Sequence, residues 1–300
     1  MFPRLMMLCV ADEEEFHRYK SSLSWLVRRL EARLVLFHSG PVPTSSIGTG
    51  AFWPPEIERK DLSHLARDEA LEGLVDDSLE IVSSDTLPET IFATAKRMGA
   101  DLLVLPTHGR SRLDRLITGS VTEQVIRRCA FPVLTIDIPT APLAIEAVDC
   151  ERVIAPTDLS DGSRRAAGVA AALADRLGCG LTLFHAVDSH PYAHAFGGRF
   201  ASVDYSQDVA DALRPQMEEL AKELSRLTKD VDIRIENGAA PAAIAACGDE
   251  FRNPLVVMAT SGRDSLGGLI LGSATERLLR TATHNVLALP ESFLSGNRKA

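Results

Sequence analysis

Two segments of this chain repeat one another: Gly109-Arg-Ser-Arg-Leu-Asp-Arg-Leu-Ile-Thr-Gly119-Ser120 and Gly262-Arg-Asp-Ser-Leu-Gly-Gly-Leu-Ile-Leu-Gly272-Ser273. Each follows an apolar run of buried-strand composition, Leu102–Leu105 in one case and Leu255–Met258 in the other. Each is continued by S-x-x-E, as Ser120-Val-Thr-Glu123 and Ser273-Ala-Thr-Glu276, the capping box that places its Ser just ahead of a helix. Apolar residues then fall at helical spacing, Val121, Val125 and Cys129 in one copy and Ala274, Leu278 and Ala282 in the other. A strand therefore enters a glycine-bounded loop that ends at a helix N-terminus, where free N–H groups and the helix dipole favour an anion. Glycine at the loop ends lets backbone approach a phosphate closely. Helix capping alone accounts for one such copy. Two copies, 153 residues apart with the same Gly-Ser ending, indicate an internal duplication.

Length agrees with that reading, since 300 residues suit about two domains. The hydrophobic share of 45% is enough for ordinary buried cores. A net charge of −9 argues against nucleic acid as a non-specific partner, which would require a basic face to displace counterions. It leaves a nucleotide open, because backbone N–H groups can hold phosphates. The cysteines, Cys9, Cys129, Cys150, Cys179 and Cys247, include no C-x-x-C pair and read as small buried residues of a reducing compartment. The first apolar run meets Asp12 too soon for a signal peptide, and no run approaches the roughly 18 residues of a membrane span. A cytoplasmic location is expected.

Taken in order, the first half reads strand Leu5–Val10, helix Glu14–Leu30, strand Leu34–His38, a Ser/Gly/Pro-rich loop Ser39–Pro55, helix Glu56–Leu74, strand Leu79–Val82, helix Pro88–Met98, strand Leu102–Leu105, the capped helix, and strand Phe131–Ile136. The second half repeats the order from strand Arg152–Asp158, through Leu181–His185, helix Gln207–Leu227, Val231–Glu236, Pro241–Phe251 and Leu255–Met258, to Asn285–Pro290 and a polar tail. Such alternation predicts an α/β fold: two tandem doubly wound domains, each a five-stranded parallel sheet flanked by helices. The expected domains are 1–142 and 149–292, joined where Pro139 and Pro142 break the pattern. Ligands of such sheets bind at strand carboxyl ends where the order reverses, which points to Asp158 and to the loop after the fourth strand.

These residues resemble the universal stress protein family, in tandem over nearly the whole chain, with an adenine nucleotide alpha hydrolase-like, Rossmann-like fold. Its ATP-binding members carry G-x2-G-x9-G-[S/T]. Here Gly109 and Gly262 match the second glycine and the Gly119-Ser120 and Gly272-Ser273 pairs the ending, while Pro106 and Ala259 stand at the first glycine. The resemblance implies ATP or ADP as ligand, with Mg2+ left open. It assigns the nucleotide mainly to the second half, at Pro156, Thr157, Asp158, Ala186, Met258, Gly262, Gly272, Ser273 and Ala274, the Asp meeting adenine or ribose. A weaker first-half site would comprise Asp12, Gly109, Gly119, Ser120 and Val121. There Glu13, Glu14 and Glu15 oppose a triphosphate, and Asp85 stands where the second half has the family's Gly238. Arg110, Arg112 and Arg115 in the first loop suit phosphate or are solvated loop charge.

No P-loop, G-x-S-x-G elbow or H-E-x-x-H is present. Asp188, His190 and His194 form a short loop cluster that is a weak zinc candidate. His38 and His185 end equivalent strands and suggest a structural role, and Phe52-Trp53-Pro54-Pro55 is either partner-docking or tucked over the sheet. The leading functional expectation is a nucleotide-dependent stress-response sensor or adaptor with an unknown protein partner. A slow ATP hydrolase or phosphotransferase and a nucleotide-free dimerising scaffold are the alternatives. The short final strands, Val133–Ile136 and Val286–Leu289, need cover, so an intramolecular pseudo-dimer is expected, with a homodimer as the other arrangement.

Overall fold

The computed structural model describes residues 2–10, 13–40, 63–82, 86–107, 118–138, 148–187, 206–260, 273–281 and 284–296. The chain divides into two compact units, 1–149 and 150–300. The first contains β1 (Leu5–Cys9), α1 (Glu13–Leu30), β2 (Arg33–Gly40), α2 (Ser63–Ala66), β3 (Val75–Val82), α3 (Leu87–Met98), β4 (Leu102–Thr107), α4 (Thr118–Arg128) and β5 (Val133–Asp137). The second contains β6 (Arg152–Pro156), α5 (Asp161–Leu177), β7 (Gly180–Val187), α6 (Ser206–Leu224), β8 (Val231–Asn237), α7 (Ala240–Asp249), β9 (Leu255–Ala259), α8 (Ser273–Thr281), β10 (Asn285–Leu289) and α9 (Glu291–Leu294).

Within the first unit the strands lie in the order β3-β2-β1-β4-β5, all parallel. In the second the order is β8-β7-β6-β9-β10, again all parallel. The central strands show why. In β1 three successive residues, Met6, Met7 and Leu8, are fully buried, as are Val153, Ile154 and Ala155 in β6. A strand buried on both faces needs helices above and below, which parallel crossovers supply. Helix α1 meets this with a stripe of Phe16, Tyr19, Leu23, Val27 and Leu30 at three- and four-residue intervals. It carries acids in its first turn and Arg28 and Arg29 in its last, matching the dipole. Both α1 and α5 stop at a left-handed residue, Glu31 at φ 54° and Gly178 at φ 75°.

The structure corrects three sequence expectations. The helix expected over Glu56–Leu74 is, in its described part, only α2 followed by a 3-10 turn at Glu69–Leu71. Asp68 interrupts it: in extended conformation (ψ 133°) it caps the turn by accepting the Ala70 N–H, and it also accepts from Lys20 Nζ at 2.6 Å. Strand β3 starts at Val75 rather than Leu79, taking in Asp76, which binds Arg33 of β2, and Asp77. In α4, Ser120 is not the cap, because the helix already begins at Thr118 and Gly119 and Ser120 lie in its first turn. Once Thr118 and Gly119 are helical, their N–H groups are among the free donors and a hydroxyl two residues further on cannot precede them. In the second unit α8 begins at Ser273 itself.

Asp68 gives a measurable pH dependence. Burial opposes its charge, but the Lys20 hydrogen bond, the Ala70 N–H and the charges of Lys20 and His17 outweigh it and hold the carboxyl below its ordinary value. A folded pKa below the unfolded one means that the contribution is complete above the unfolded carboxylate pKa and is lost as pH falls through the folded value. Asp68→Asn is therefore expected to destabilise the first unit by about 1–3 kcal/mol at neutral pH. The difference from wild type should shrink in acid, read from urea unfolding at pH 7 and at about pH 3. A gap that stays constant with pH would refute the assignment.

Candidate functional site

In each unit the strand order reverses between the two central strands, β1 and β4 or β6 and β9, and crevices of doubly wound sheets form there. The pairing registers show how the crevice arises. Strand β6 pairs with β7 from Arg152–Gly180 to Pro156–Phe184, and β9 pairs with β10 from Leu255–Asn285 to Ala259–Leu289. Between themselves, β6 and β9 pair only at Val153–Leu255 and Ile154–Val256. Each central strand thus keeps its outer neighbour to its carboxyl end while parting from the other.

One lip of this crevice is the turn from β6 to α5, which holds Pro156, Thr157 and Asp158. The Thr157 N–H donates to the Phe184 carbonyl at 2.8 Å, so the strand runs one residue beyond Pro156. Thr157 is 6% exposed, and its hydroxyl is shared by the Leu159 N–H at 3.0 Å and Ser163 Oγ at 2.9 Å. Asp158 Oδ1 accepts both the N–H (3.0 Å) and the O–H (2.6 Å) of Ser160, an Asx turn that fixes the carboxylate's direction. Ser160 in turn caps α5, accepting the Ser163 N–H. Leu159 takes φ 64°, a conformation costly for a branched side chain and maintained here by the bonds around it. His185 Nδ1 lies 2.7 Å from the Thr157 carbonyl; since a carbonyl only accepts, Nδ1 carries the proton. The turn fixes the Asp158 carboxylate at the N-terminus of a 17-residue helix, with the Thr157 and Ser160 hydroxyls holding it in place.

The other lip is the end of β9 and the head of α8. Thr275, 3% exposed, donates its hydroxyl to the Ala259 carbonyl at 3.1 Å and so ties the helix's first turn to the strand end. The chain leaves at Thr260, whose N–H bonds Leu289, and returns at Ser273 beside the point of departure. Gly262 and Gly272 lie outside the described residues, whereas Ser273 and Ala274 head α8. Met258 on β9 belongs to the buried cluster of Ile154, Phe184, Val256, Leu278 and Val286, and Ala186 on β7 packs against that cluster. Met258 is 7% exposed, so most of its surface serves the core. Gly238, at φ 136°, closes the turn after β8 with its N–H on the Val187 carbonyl, a conformation side chains rarely adopt.

Three contributors escape the sequence reading: Ser160, Ser163 and Thr275. A signal for Thr275 exists, because S-x-T-E recurs in both copies and Thr122, its counterpart, is also buried.

The first unit has the same frame with different chemistry. His38 Nδ1 meets the Val10 carbonyl at 2.7 Å, and the Val10 N–H donates to Phe37, so Val10 corresponds to Thr157. Counting on along the sequence, Ala11 corresponds to Asp158, and Asp12 is one place too far. Residues 11 and 12, Gly109 and Asp85 lie outside the described residues; Gly119, Ser120 and Val121 are in the first turn of α4. Ser163 is replaced by Phe16, fully buried against Tyr19 at 5.7 Å between centroids. At the α1 start Glu13 binds His64, Glu14 binds Arg18 and Glu15 is buried. These carboxylates already occupy the positive end of the helix. The segments containing Arg110, Arg112 and Arg115, Phe52-Trp53 and Asp188, His190 and His194 lie outside the described residues. Among the described residues no group of three His, Cys, Asp or Glu is placed to hold a metal ion, and no helix is long and apolar enough to cross a membrane.

Comparison with known proteins fits this architecture. The model of the universal stress protein family matches twice, over residues 9–137 and 150–290. Universal stress protein Rv2005c of Mycobacterium tuberculosis is 27% identical over 221 residues, 71% of this chain and 68% of that protein. Universal stress protein MJ0531 of Methanocaldococcus jannaschii is 24% identical over 143 residues, 46% of this chain and 81% of that one. Among solved structures, a putative universal stress protein of Pseudomonas aeruginosa superposes with a TM-score of 0.64 at 16% identity, covering 98% of this chain and 96% of that one. At that identity the likeness concerns the fold. With the family pattern covering both units, the chain belongs to the universal stress protein family and carries two of its domains in tandem.

Proposed function

We propose that this protein binds an adenine nucleotide, ATP or ADP, in its second unit and acts in the cytoplasm as a nucleotide-dependent stress-response sensor or adaptor. The observation that carries the reading is the fixed Thr157-Asp158 turn beside the parting of β6 and β9. The Asp158 carboxylate suits a ribose hydroxyl or adenine amine, Ala186 and the exposed edge of Met258 suit the base, and the first turn of α8 suits phosphates, with or without Mg2+. The first unit, with Val10 and Ala11 at the corresponding places and its own carboxylates at α1, is a weak site or none. Binding without turnover is favoured because the sequence offers no evident general base beside the phosphate loop. An unknown protein partner would read the nucleotide state, and the two units would cover each other's final strands as a pseudo-dimer.

Chromatography of the supernatant after denaturing the natively purified chain tests this. Close to one adenine nucleotide per chain is expected. Two per chain would contradict the preference for the second unit, and none, together with no heat of binding on titration with ATP or ADP, would leave the nucleotide-free scaffold.

A further inference from the structure

At the opposite, amino-terminal ends of the strands, the second unit holds a cluster that has no counterpart in the first. Cys150 lies two residues before β6 and Cys179 one residue before β7, and the strands they lead into pair at Arg152–Gly180. Cys150 Sγ donates to the Arg152 carbonyl at 3.3 Å, and the two thiols are close enough to act on each other's ionisation. Both are free cysteines; Cys150 is buried and Cys179 is partly exposed. Arg152, whose charge acts on Cys179, has its guanidinium on Asp230 at 2.5 Å and Thr182 Oγ1 at 3.0 Å. It crosses Gly180 so closely that a Cβ there would collide with both the guanidinium and the Asp230 carboxylate.

The duplicated frame supplies an internal control. Corresponding positions follow from shared backbone bonds: the Leu34 N–H donates to Leu74 as the Leu181 N–H donates to Asp230. By that register Cys150, Cys179, Arg152, Thr182 and Asp230 replace Pro3, Ala32, Leu5, Val35 and Leu74. Ala32, Val35 and Leu74 are buried apolar residues. The fold at this place is thus satisfied by an apolar floor, and nothing in its packing calls for two thiols beneath a cation.

We infer that Cys150 and Cys179 are a modification site, a dithiol that hydroperoxides oxidise to an intramolecular disulfide. Cys179 is the attacking sulfur. It is the more exposed, and the Cys150 hydrogen bond, opposed by partial burial and aided by Arg152 and the Val153 N–H, lowers its pKa. Its partner's pKa moves up, through that same hydrogen bond and burial, so Cys150 keeps its proton. Burial also raises the pKa values of Cys9, Cys129 and Cys247, which removes them as competitors. In the first step the Cys179 thiolate attacks a peroxide oxygen; an S–O bond forms, the O–O bond breaks, and the leaving alkoxide or hydroxide takes a proton from solvent. In the second the Cys150 sulfur attacks Cys179; the S–S bond forms, the S–O bond breaks, and hydroxide departs with the Cys150 proton as water. The sulfurs lose two electrons between them and the peroxide gains two.

The test uses the full chain treated with hydrogen peroxide, blocked with N-ethylmaleimide and mapped by mass spectrometry. Loss of two of the five alkylatable thiols is expected, with a peptide cross-linked between residues 150 and 179 that dithiothreitol restores. Cys179→Ser should slow thiol loss by about tenfold or more. Cys150→Ser should leave the first step intact and trap Cys179 as a sulfenic acid that reacts with dimedone. The proposal is overturned if the wild-type chain accumulates a dimedone adduct or sulfinic acid at Cys179 without the cross-link, if the disulfides join different chains, or if Cys179 remains unreacted in both wild type and Cys150→Ser.

Discussion

Phe184→Ala is expected to destabilise the second unit by about 3–5 kcal/mol, the usual cost of truncating a fully buried aromatic side chain. Phe184 is 0% exposed and packs among Ile154, Ile244, Cys247, Val256, Met258, Leu278 and Val286, so it joins β6, β7, β9 and β10 to α7 and α8. No small residue can refill that volume without moving several elements at once, and the interior forfeits both transfer energy and contacts. Its backbone carbonyl also receives the Thr157 N–H, and loosening β7 would loosen the lip of the crevice. Phe37, 1% exposed, holds the corresponding place in the first unit and receives the Val10 N–H. Phe37→Ala should cost a similar amount there. A chain with two units need not unfold in one step, so hydrogen exchange resolved by peptide is the measurement. Protection should fall in the unit that carries the substitution, and only Phe184→Ala should also weaken nucleotide binding. A loss below about 1 kcal/mol at either site would show that the cluster repacks and that the cavity argument fails.

The same pair of residues shows why the fold was legible. Duplicated apolar runs, Leu34–Phe37 and Leu181–Phe184, each followed by His, locate equivalent strands without a structure. Glycine and serine punctuation then sets the helix starts to within a couple of residues. What the sequence concealed has physical reasons. Strand β3 contains Asp76 and Asp77, and an edge strand tolerates such residues because one of its sides pairs only with β2, where Arg33 answers Asp76. The helix expected through Leu74 is ended by Asp68, whose side chain competes for backbone N–H groups, a preference no apolar periodicity reveals.

The candidate site was legible in its parts but not in its register. Pro156 ends β6, Thr157 and Asp158 form the turn that follows it, and Ala186 packs against the cluster that contains Met258. The glycine loops are 153 residues apart, whereas His38 and His185 are 147 apart, so the second unit contains six more residues between its second strand and its loop. Matching Asp12 with Asp158 put the comparison one residue out of step with the histidines. Only the paired hydrogen bonds to Val10 and Thr157 fix the correspondence. Ser160 and Ser163 were missed because their role is local: they hold the turn by bonding each other, Thr157 and Asp158, and such a network has no spacing signature.

Asp158→Ala should lower ATP affinity by roughly 10- to 100-fold, the equivalent of about 1–3 kcal/mol for a charged, partly buried acceptor lost from a site. Two effects add. The ligand loses its hydrogen-bonding anchor, and the turn loses the Asx bonds to Ser160 N–H and O–H that keep Leu159 in its left-handed conformation. Asp158→Asn separates them, since an amide oxygen can still accept from Ser160 while the charge is gone. If Asp158 meets a hydroxyl or amine of the nucleotide, Asn should recover part of the affinity while Ala recovers none. Gly272→Val should give a loss of similar size, because β-branched bulk at that loop end obstructs backbone approach to phosphate. Asp12→Ala, one residue beyond the counterpart of Asp158, and Gly119→Val should do less, since Glu13 and Glu14 are paired at that helix start and Glu15 is buried there. Calorimetric titration of the five variants with ATP decides among these outcomes. A greater loss from the first-unit substitutions would place the nucleotide in the other unit, and unchanged affinity in Asp158→Ala would remove the β6–α5 turn from the site.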